Sequence, residues 1–188
     1  MKKLSTLTKS AIIALSIISI GTVAIASGQI PAISNAGNSE AVAIAKSKIS
    51  LEQAITIAQK TVKGDVISAE FEQNDYIEGG KFEIKSIANN TEYEVKIDAS
   101  TGRVLKTKQE KLDQQDIAEY NAIKQAQISL TQALQKSTQS ISGKVIEAEF
   151  DLDNGKSIYE IKIAKGTEIY QVIVDAMTGA IISKQLDD

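Results

Sequence analysis

Eight carboxylates and two repeated turns are the groups in this sequence whose type and spacing could do chemistry. Glu70, Glu72, Glu83 and Glu94, and a second set at Glu147, Glu149, Asp151 and Glu160, occupy alternate positions of strand-like segments, so each set projects from one face. Such a face suits docking of a basic or cell-wall-associated partner, with rate and specificity helped by complementary fields. Its plainer reading is the water-facing side of a sheet covered on the other side only. Carboxylate pairs also hydrolyse glycosides, but they need an apolar cleft to separate their pKa values, and five Tyr, three Phe and no Trp make a poor sugar platform.

Asp98 and Asp175 each open an Asp-Ala-x-Thr-Gly turn, closed by Gly102 and Gly179. A carboxylate there accepts amides two or three residues on, and the glycine supplies the positive φ. Thr101 and Thr178 would need a base or a terminal amine to act as nucleophiles, and neither is indicated, so all six residues are read as turn structure. Asp151-Leu152-Asp153-Asn154-Gly155 fails as a calcium loop, because Gly155 falls at position five and Lys162 at position twelve; it is read as a hairpin turn. With no His and no Cys, there is no imidazole base, thiolate nucleophile, disulfide, or His or Cys metal ligand. The expectation is a protein that is not an enzyme, with no catalytic residue, no metal and no cofactor.

The rest of the chain must position these groups, and charge says where it works. Lys and Arg number 21 against 24 Asp and Glu, a net charge of -3. Residues 1 to 48 carry +4, which leaves -7 on the remainder and no basic stripe for a nucleic acid backbone. Lys2, Lys3 and Lys9 precede an apolar run from Ala11 to Ala26 that closes with Ala24-Ile25-Ala26, the layout of a secretory signal. The run also continues unevenly to Ile33, long enough for an uncleaved anchor across the ~30 Å hydrocarbon layer. Both readings engage the membrane and place the protein outside the cytoplasm, secreted or membrane-anchored. Residues 1–33 are therefore assigned to a signal peptide or anchor and 34–48 to a linker.

The remainder is a duplication. Ser50-Leu51-Glu52-Gln53 and Ser129-Leu130-Thr131-Gln132 have capping-box spacing, each preceded by Ile as a hydrophobic staple. An apolar stripe follows in each case, through Leu51, Ala54, Ile55, Ala58 and Val62, and through Leu130, Ala133, Leu134, Ser137 and Ile141. Gly64 and Gly143 are expected as left-handed helix ends. The period then changes from 3.6 to 2, giving four strands per copy joined by turns at Gly79-Gly80, Asn154-Gly155, Asn89-Asn90 and Lys165-Gly166. The offset between copies is 79 before Phe71 and 77 after Phe82, so the first copy has the longer loop between those phenylalanines. The pattern predicts an α+β fold of two tandem units, residues 49–111 and 128–188, each one helix on a four-stranded antiparallel sheet, after an N-terminal hydrophobic helix. Residues 112–127 lack Gly and Pro and are expected to be a helical linker.

Gly64 to Phe71, Phe82-Glu83-Ile84 and Tyr93 to Val104, with Gly143 to Phe150, Tyr159-Glu160-Ile161 and Tyr170 to Ile181, resemble the PepSY domain family over about three quarters of the chain. Phe82 stands where Tyr is usual. The resemblance implies a habitat outside the cytoplasm and a likeness to part of the propeptide of thermolysin-like secreted metallopeptidases. It also implies a non-catalytic module that binds or regulates a secreted or membrane-associated peptidase. The alternative is a structural or sensory component of the cell envelope displayed on a membrane anchor.

Overall fold

The computed structural model describes residues 36–73 and 79–187; the apolar segment expected to be a signal or anchor lies outside them. Among the described residues no helix is long and apolar enough to cross a membrane. The elements run α1 (Ala36–Ala45), α2 (Leu51–Thr61), β1 (Asp65–Glu72), β2 (Lys81–Ala88), β3 (Thr91–Asp98), β4 (Val104–Lys111), α3 (Gln114–Ile123), α4 (Leu130–Ser140), β5 (Lys144–Asp153), β6 (Lys156–Lys165), β7 (Glu168–Asp175) and β8 (Ile181–Leu186). The fold is α+β.

Both main helices begin as their sequence dictates. Ser50 Oγ accepts from Gln53 N at 3.3 Å while Gln53 Oε1 accepts from Ser50 N at 2.8 Å, and Ser129 with Gln132 repeats both bonds at the same distances. Two orphan amides per helix are thereby satisfied. The stripes Leu51, Ala54, Ile55, Ala58 and Leu130, Ala133, Leu134, Ser137 are buried. They pack on one face of the sheet, over Phe82, Ile84, Val95 and Ile97 in one copy and Tyr159, Ile161, Val172 and Val174 in the other. Each large side chain so buried contributes ~1.5–3 kcal/mol. Phe71 meets Phe82 edge-on at 5.5 Å, and Phe150 meets Tyr159 likewise at 5.6 Å.

The two expected sheets are one. Eight antiparallel strands lie in the order β4-β3-β2-β1-β5-β6-β7-β8. The halves join through Ser68↔Glu149, Ala69↔Ala148 and Glu70↔Glu147. Ala69 and Ala148 are equivalent positions of the duplication, so their pairing relates the copies by an approximate two-fold axis. A separate four-stranded unit would leave β1 or β5 as an open edge with unpaired amides; joining them leaves only β4 and β8 at the edges.

The segment assigned as a linker, 34–48, contains α1, and α1 does not pack on the copy that follows it. It lies on β5, β6 and β7 of the second copy and buries Ala41 and Ile44. Lys144 Nζ fixes its end by donating to the carbonyls of Ile44 at 3.1 Å, Ala45 at 3.1 Å and Ser47 at 2.9 Å. The stretch 112–127 holds α3, which makes the reciprocal move to the first copy. Leu112 N donates to Asn90 O at 3.2 Å, and Tyr120 Oη donates to Asp65 Oδ2 at 2.7 Å.

Two local expectations change. Gly64 and Gly143 are not left-handed helix ends, since the caps are Val62 and Ile141 in extended conformation. They are glycine because a Cβ would stand 2.7 Å from Ile87 O and 2.3 Å from Ala164 O, where the chain passes under the neighbouring strand. The β6–β7 reversal falls on Gly166-Thr167, one residue later than expected. The longer first loop is present: β1 ends at Glu72 and β2 begins at Lys81, whereas Asp153 and Lys156 are separated only by Asn154-Gly155.

Candidate functional site

Strand register decides which carboxylates meet. On the sheet face opposite α2 and α4, Glu70 stands directly across from Glu83 on one side and from Glu147 on the other. Glu149 stands across from Glu160. The centre of the sheet therefore carries a carboxylate row spanning β2, β1, β5 and β6, with three directly opposed like-charged pairs.

Lysines of the same parity, absent from the carboxylate pattern read above, interleave with this row. Lys81 bonds Glu72, and Lys96 bonds Glu83 while also lying 3.7 Å from Glu72 and 3.3 Å from Glu94. Lys108 reaches Glu94 at 2.9 Å and Lys162 reaches Glu147 at 3.0 Å. Among the described residues no lysine lies within ion-pair reach of Glu70 or Glu160; Glu160 accepts from Gln171 Nε2 at 2.6 Å. Asp151 turns back on its own strand, accepting from Leu152 N at 2.7 Å. The signal that would have revealed the lysines is plain in β2, where Lys81, Glu83 and Lys85 alternate.

Nor does this face lie fully in water. Glu83, Glu149 and Glu160 are only 7%, 8% and 8% exposed, which corrects the expectation of an open acidic surface. Packing of α1 on β5–β7 brings Glu40 into the field of Glu147, Lys162 and Asp187. Burial, and then Glu147, push the Glu40 carboxyl above its ordinary value.

The row's protonation follows from the same contacts. Burial first, then Glu83, raise Glu70; burial raises Glu160 against the pull of Gln171 and Lys162. Glu83 is raised by burial and by its hydrogen bond to Glu72. In Glu72 burial is outweighed by that same bond and by Lys81 and Lys96, so its carboxyl sits low. Burial works against the charge of Lys96, but Glu83 and Glu72 overcome it and push the ammonium upward. Glu70, Glu72 and Glu83 bring one oxygen each within 4.8 Å of one another, and the positive charge beside that trio comes from Lys81 and Lys96.

The repeated turns are built alike. Asp98 Oδ1 accepts from Ser100 N at 2.9 Å and Thr101 N at 2.7 Å, and Gly102 N donates to Asp98 O at 2.8 Å. Asp175 repeats this with Met177 N at 2.8 Å, Thr178 N at 2.7 Å and Gly179 N at 2.8 Å. Thr101 and Thr178 accept from Arg103 N and Ala180 N at 3.4 and 3.2 Å, so the Asp carboxylate and the Thr hydroxyl of each turn are both engaged within it.

The family model described as "Peptidase propeptide and YPEB domain", PepSY, matches residues 48–108 and again 127–185. No match is found among curated proteins. Among solved structures the chain is similar to a candidate lipoprotein of Clostridium difficile 630, with 26% identity over 75% of this chain and 95% of that one and a TM-score of 0.45. It is also similar to the YpmB protein from Bacillus subtilis, at 17% identity over 72% of this chain and 96% of that one, TM-score 0.32. The C-terminal domain of YpeB from Bacillus megaterium matches at 20% identity over 76% of this chain and 67% of that one, TM-score 0.29.

Proposed function

Because this chain belongs to the PepSY family, with two tandem copies of its domain, we propose that it is a non-catalytic module that docks a protein partner outside the cytoplasm, the partner being a secreted or surface peptidase. The observation that carries this reading is the centre of the carboxylate row, where Glu70 and Glu147 are half-buried while Glu83, Glu149 and Glu160 are buried. Like charges directly opposite one another across a sheet are destabilising, and here Glu70 faces two of them while Glu149 faces a third. A feature that lowers stability and is not needed for folding is expected where a binding function keeps it. The docking segment it suits is basic. Location outside the cytoplasm rests on Lys2, Lys3 and Lys9 ahead of the apolar run to Ala26, and the choice of a peptidase on the family's description.

The test uses the full chain on producing cells, with a photo-crosslinking residue in place of Ser68, whose register partner is Glu149 in the row. A protein adduct that includes a peptidase, and that disappears when Glu70 and Glu147 are both changed to Gln, is the expected result. Absence of any protein adduct, or an adduct indifferent to those changes, sinks the reading. The second reading, an envelope component displayed on an anchor, draws on the long apolar start of the chain. Fractionation separates the two: a retained amino terminus with all protein in the membrane pellet favours display, and a mature form beginning near Ser27 in the medium favours the secreted module.

A further inference from the structure

The two copies end their preceding helices with the same backbone and with opposite side chains. After α1, Lys46 N donates to Ala43 O at 3.0 Å, Ser47 N to Ile44 O at 3.1 Å, and the amides of Lys48 and Ile49 to Ala99 O at 2.9 and 3.2 Å. After α3, 79 residues on, Gln125 N donates to Ala122 O at 3.1 Å, Ala126 N to Ile123 O at 3.0 Å, and the amides of Gln127 and Ile128 to Ala176 O at 3.0 and 3.3 Å. This bond-for-bond match gives the carbonyls of Ile123, Lys124 and Ala126 the places that Ile44, Ala45 and Ser47 hold in the first junction. There the three carbonyls take the ammonium of Lys144 together with Ser47 Oγ at 3.2 Å, a hydroxyl that Ala126 lacks in the second junction.

In the second junction the residue equivalent to Lys144 is Asp65. A cavity of about 410 Å³ opens at this point, with Asp65, Ile123, Lys124 and Ala126 in its lining. Its preference for a cation follows from elementary electrostatics. Carbonyls at a helix C-terminus carry partial negative charge, and Asp65 adds a full one where the first junction supplies a positive group. Val66, Ile128 and the ring of Tyr159 provide an apolar wall for an alkyl stem, and Tyr159 Oη is occupied in donating to Ile128 O at 2.7 Å. Asp65 Oδ2 accepts from Tyr120 Oη at 2.7 Å and pairs with Lys124 at 3.6 Å, so an incoming ammonium must displace the Lys124 contact, whose side chain is 59% exposed.

We propose that this cavity binds a primary ammonium group, a partner's lysine side chain or a free peptide amino terminus, in the place that Lys144 fills in the duplicate junction. The site is separate from the carboxylate row and does not depend on that row's docking role.

The test takes the full chain in lipid nanodiscs and follows the amide resonances of Ala126, Gln127 and Ile128 as three probes are added. Nα-acetyl-lysine N-methylamide presents the side-chain amine, alanyl-alanine amide the terminal amine, and Nα-acetyl-norleucine N-methylamide a neutral stem of similar shape. At least one amine is expected to shift these resonances while the norleucine probe does not, and the tighter amine identifies the source. Asp65→Asn is expected to weaken that binding about tenfold or more, the loss of one charge-assisted bond. Asp65→Lys supplies the ammonium from within and is expected to abolish it. Glu70→Gln with Glu147→Gln should leave it unchanged, which keeps this result distinct from the fate of the carboxylate row. No shift with either amine, equal shifts with norleucine, or full affinity in Asp65→Asn overturns the proposal.

Discussion

If Glu70 is held against repulsion, removing its charge must stabilise the protein, and by an amount the register sets. Glu70 stands opposite Glu83 and Glu147, and each such pair costs ~0.2–1 kcal/mol. Lys85 offsets part of this, so Glu70→Gln is expected to gain about 0.5–1.5 kcal/mol, or roughly 1–6 °C in melting temperature for a domain of this size. The pH dependence fixes the cause. Burial and Glu83 raise the folded-state carboxyl of Glu70 above its ordinary 4.5. A raised carboxyl leaves the folded state unpenalised below that value, and the penalty grows as pH rises through 4.5 and the folded pKa. The variant's advantage is therefore full at pH 7 in low salt, smaller in high salt and absent near pH 4. Glu147→Gln should gain less, because it also gives up the 3.0 Å contact with Lys162. The double variant tests the pair itself, since its gain should fall short of the sum of the singles by their mutual repulsion. Thermal melts across pH and salt decide the matter. A Glu70→Gln protein that melts below the parent at pH 7, or that keeps its gain at pH 4, refutes the reasoning.

Other changes separate scaffold from site. Ser50→Ala and Ser129→Ala should each cost ~1 kcal/mol in urea denaturation, because each removes the acceptor for an N3 amide. Gly143→Ala puts a methyl 2.3 Å from Ala164 O and should cost ~1–3 kcal/mol, more than an exposed helix substitution, as read from the shift in urea midpoint. Asp98 lies low despite a burial effect in the other direction, because the Thr101 hydroxyl and the amides of Thr101 and Ser100 stabilise its carboxylate. Its stabilisation is present above 3.8 and lost as pH falls through the lower folded value. Asp98→Asn should therefore lower the urea midpoint at pH 7 and leave it nearly unchanged near pH 2.

Local features of the fold were legible because each is written in a few adjacent residues. Ser-x-x-Gln specifies a helix start, the change of period marks each strand, and Asp-Ala-x-Thr-Gly closes the last turn, and all three act within one turn or strand pair. Long-range features were not. Pairing of Ala69 with Ala148 depends on an open edge finding its own duplicate, and nothing local distinguishes β1 as an edge from β1 as a central strand. The move of α1 onto the second copy depends on Lys144, 97 to 100 positions away from the carbonyls it holds. Glu83 and Glu160 alternate like water-facing residues, and only the assembled sheet shows them buried. The lysines beside them are legible, because Lys81, Glu83 and Lys85 alternate along β2 in the sequence itself.

A duplicated chain supplies its own control for telling scaffold from function. Where the copies agree, as at Ser50 and Ser129, Gly64 and Gly143, Ala69 and Ala148, or Asp98 and Asp175, the shared geometry accounts for the residue: a cap, a close approach, a junction, a turn. Where they disagree in charge, geometry cannot be the reason, because the other copy builds the same backbone without that charge. Ser68 against Glu147 is one such place, and it adds a carboxylate opposite Glu70. Asp65 against Lys144 is another, and it sets a carboxylate in the lining of the second junction's cavity where the first junction has an ammonium on its carbonyls. Both asymmetries flank the strands where the halves meet, β1 and β5. The physical expectation is that partners engage this junction, where the copies share a backbone and differ in what they offer.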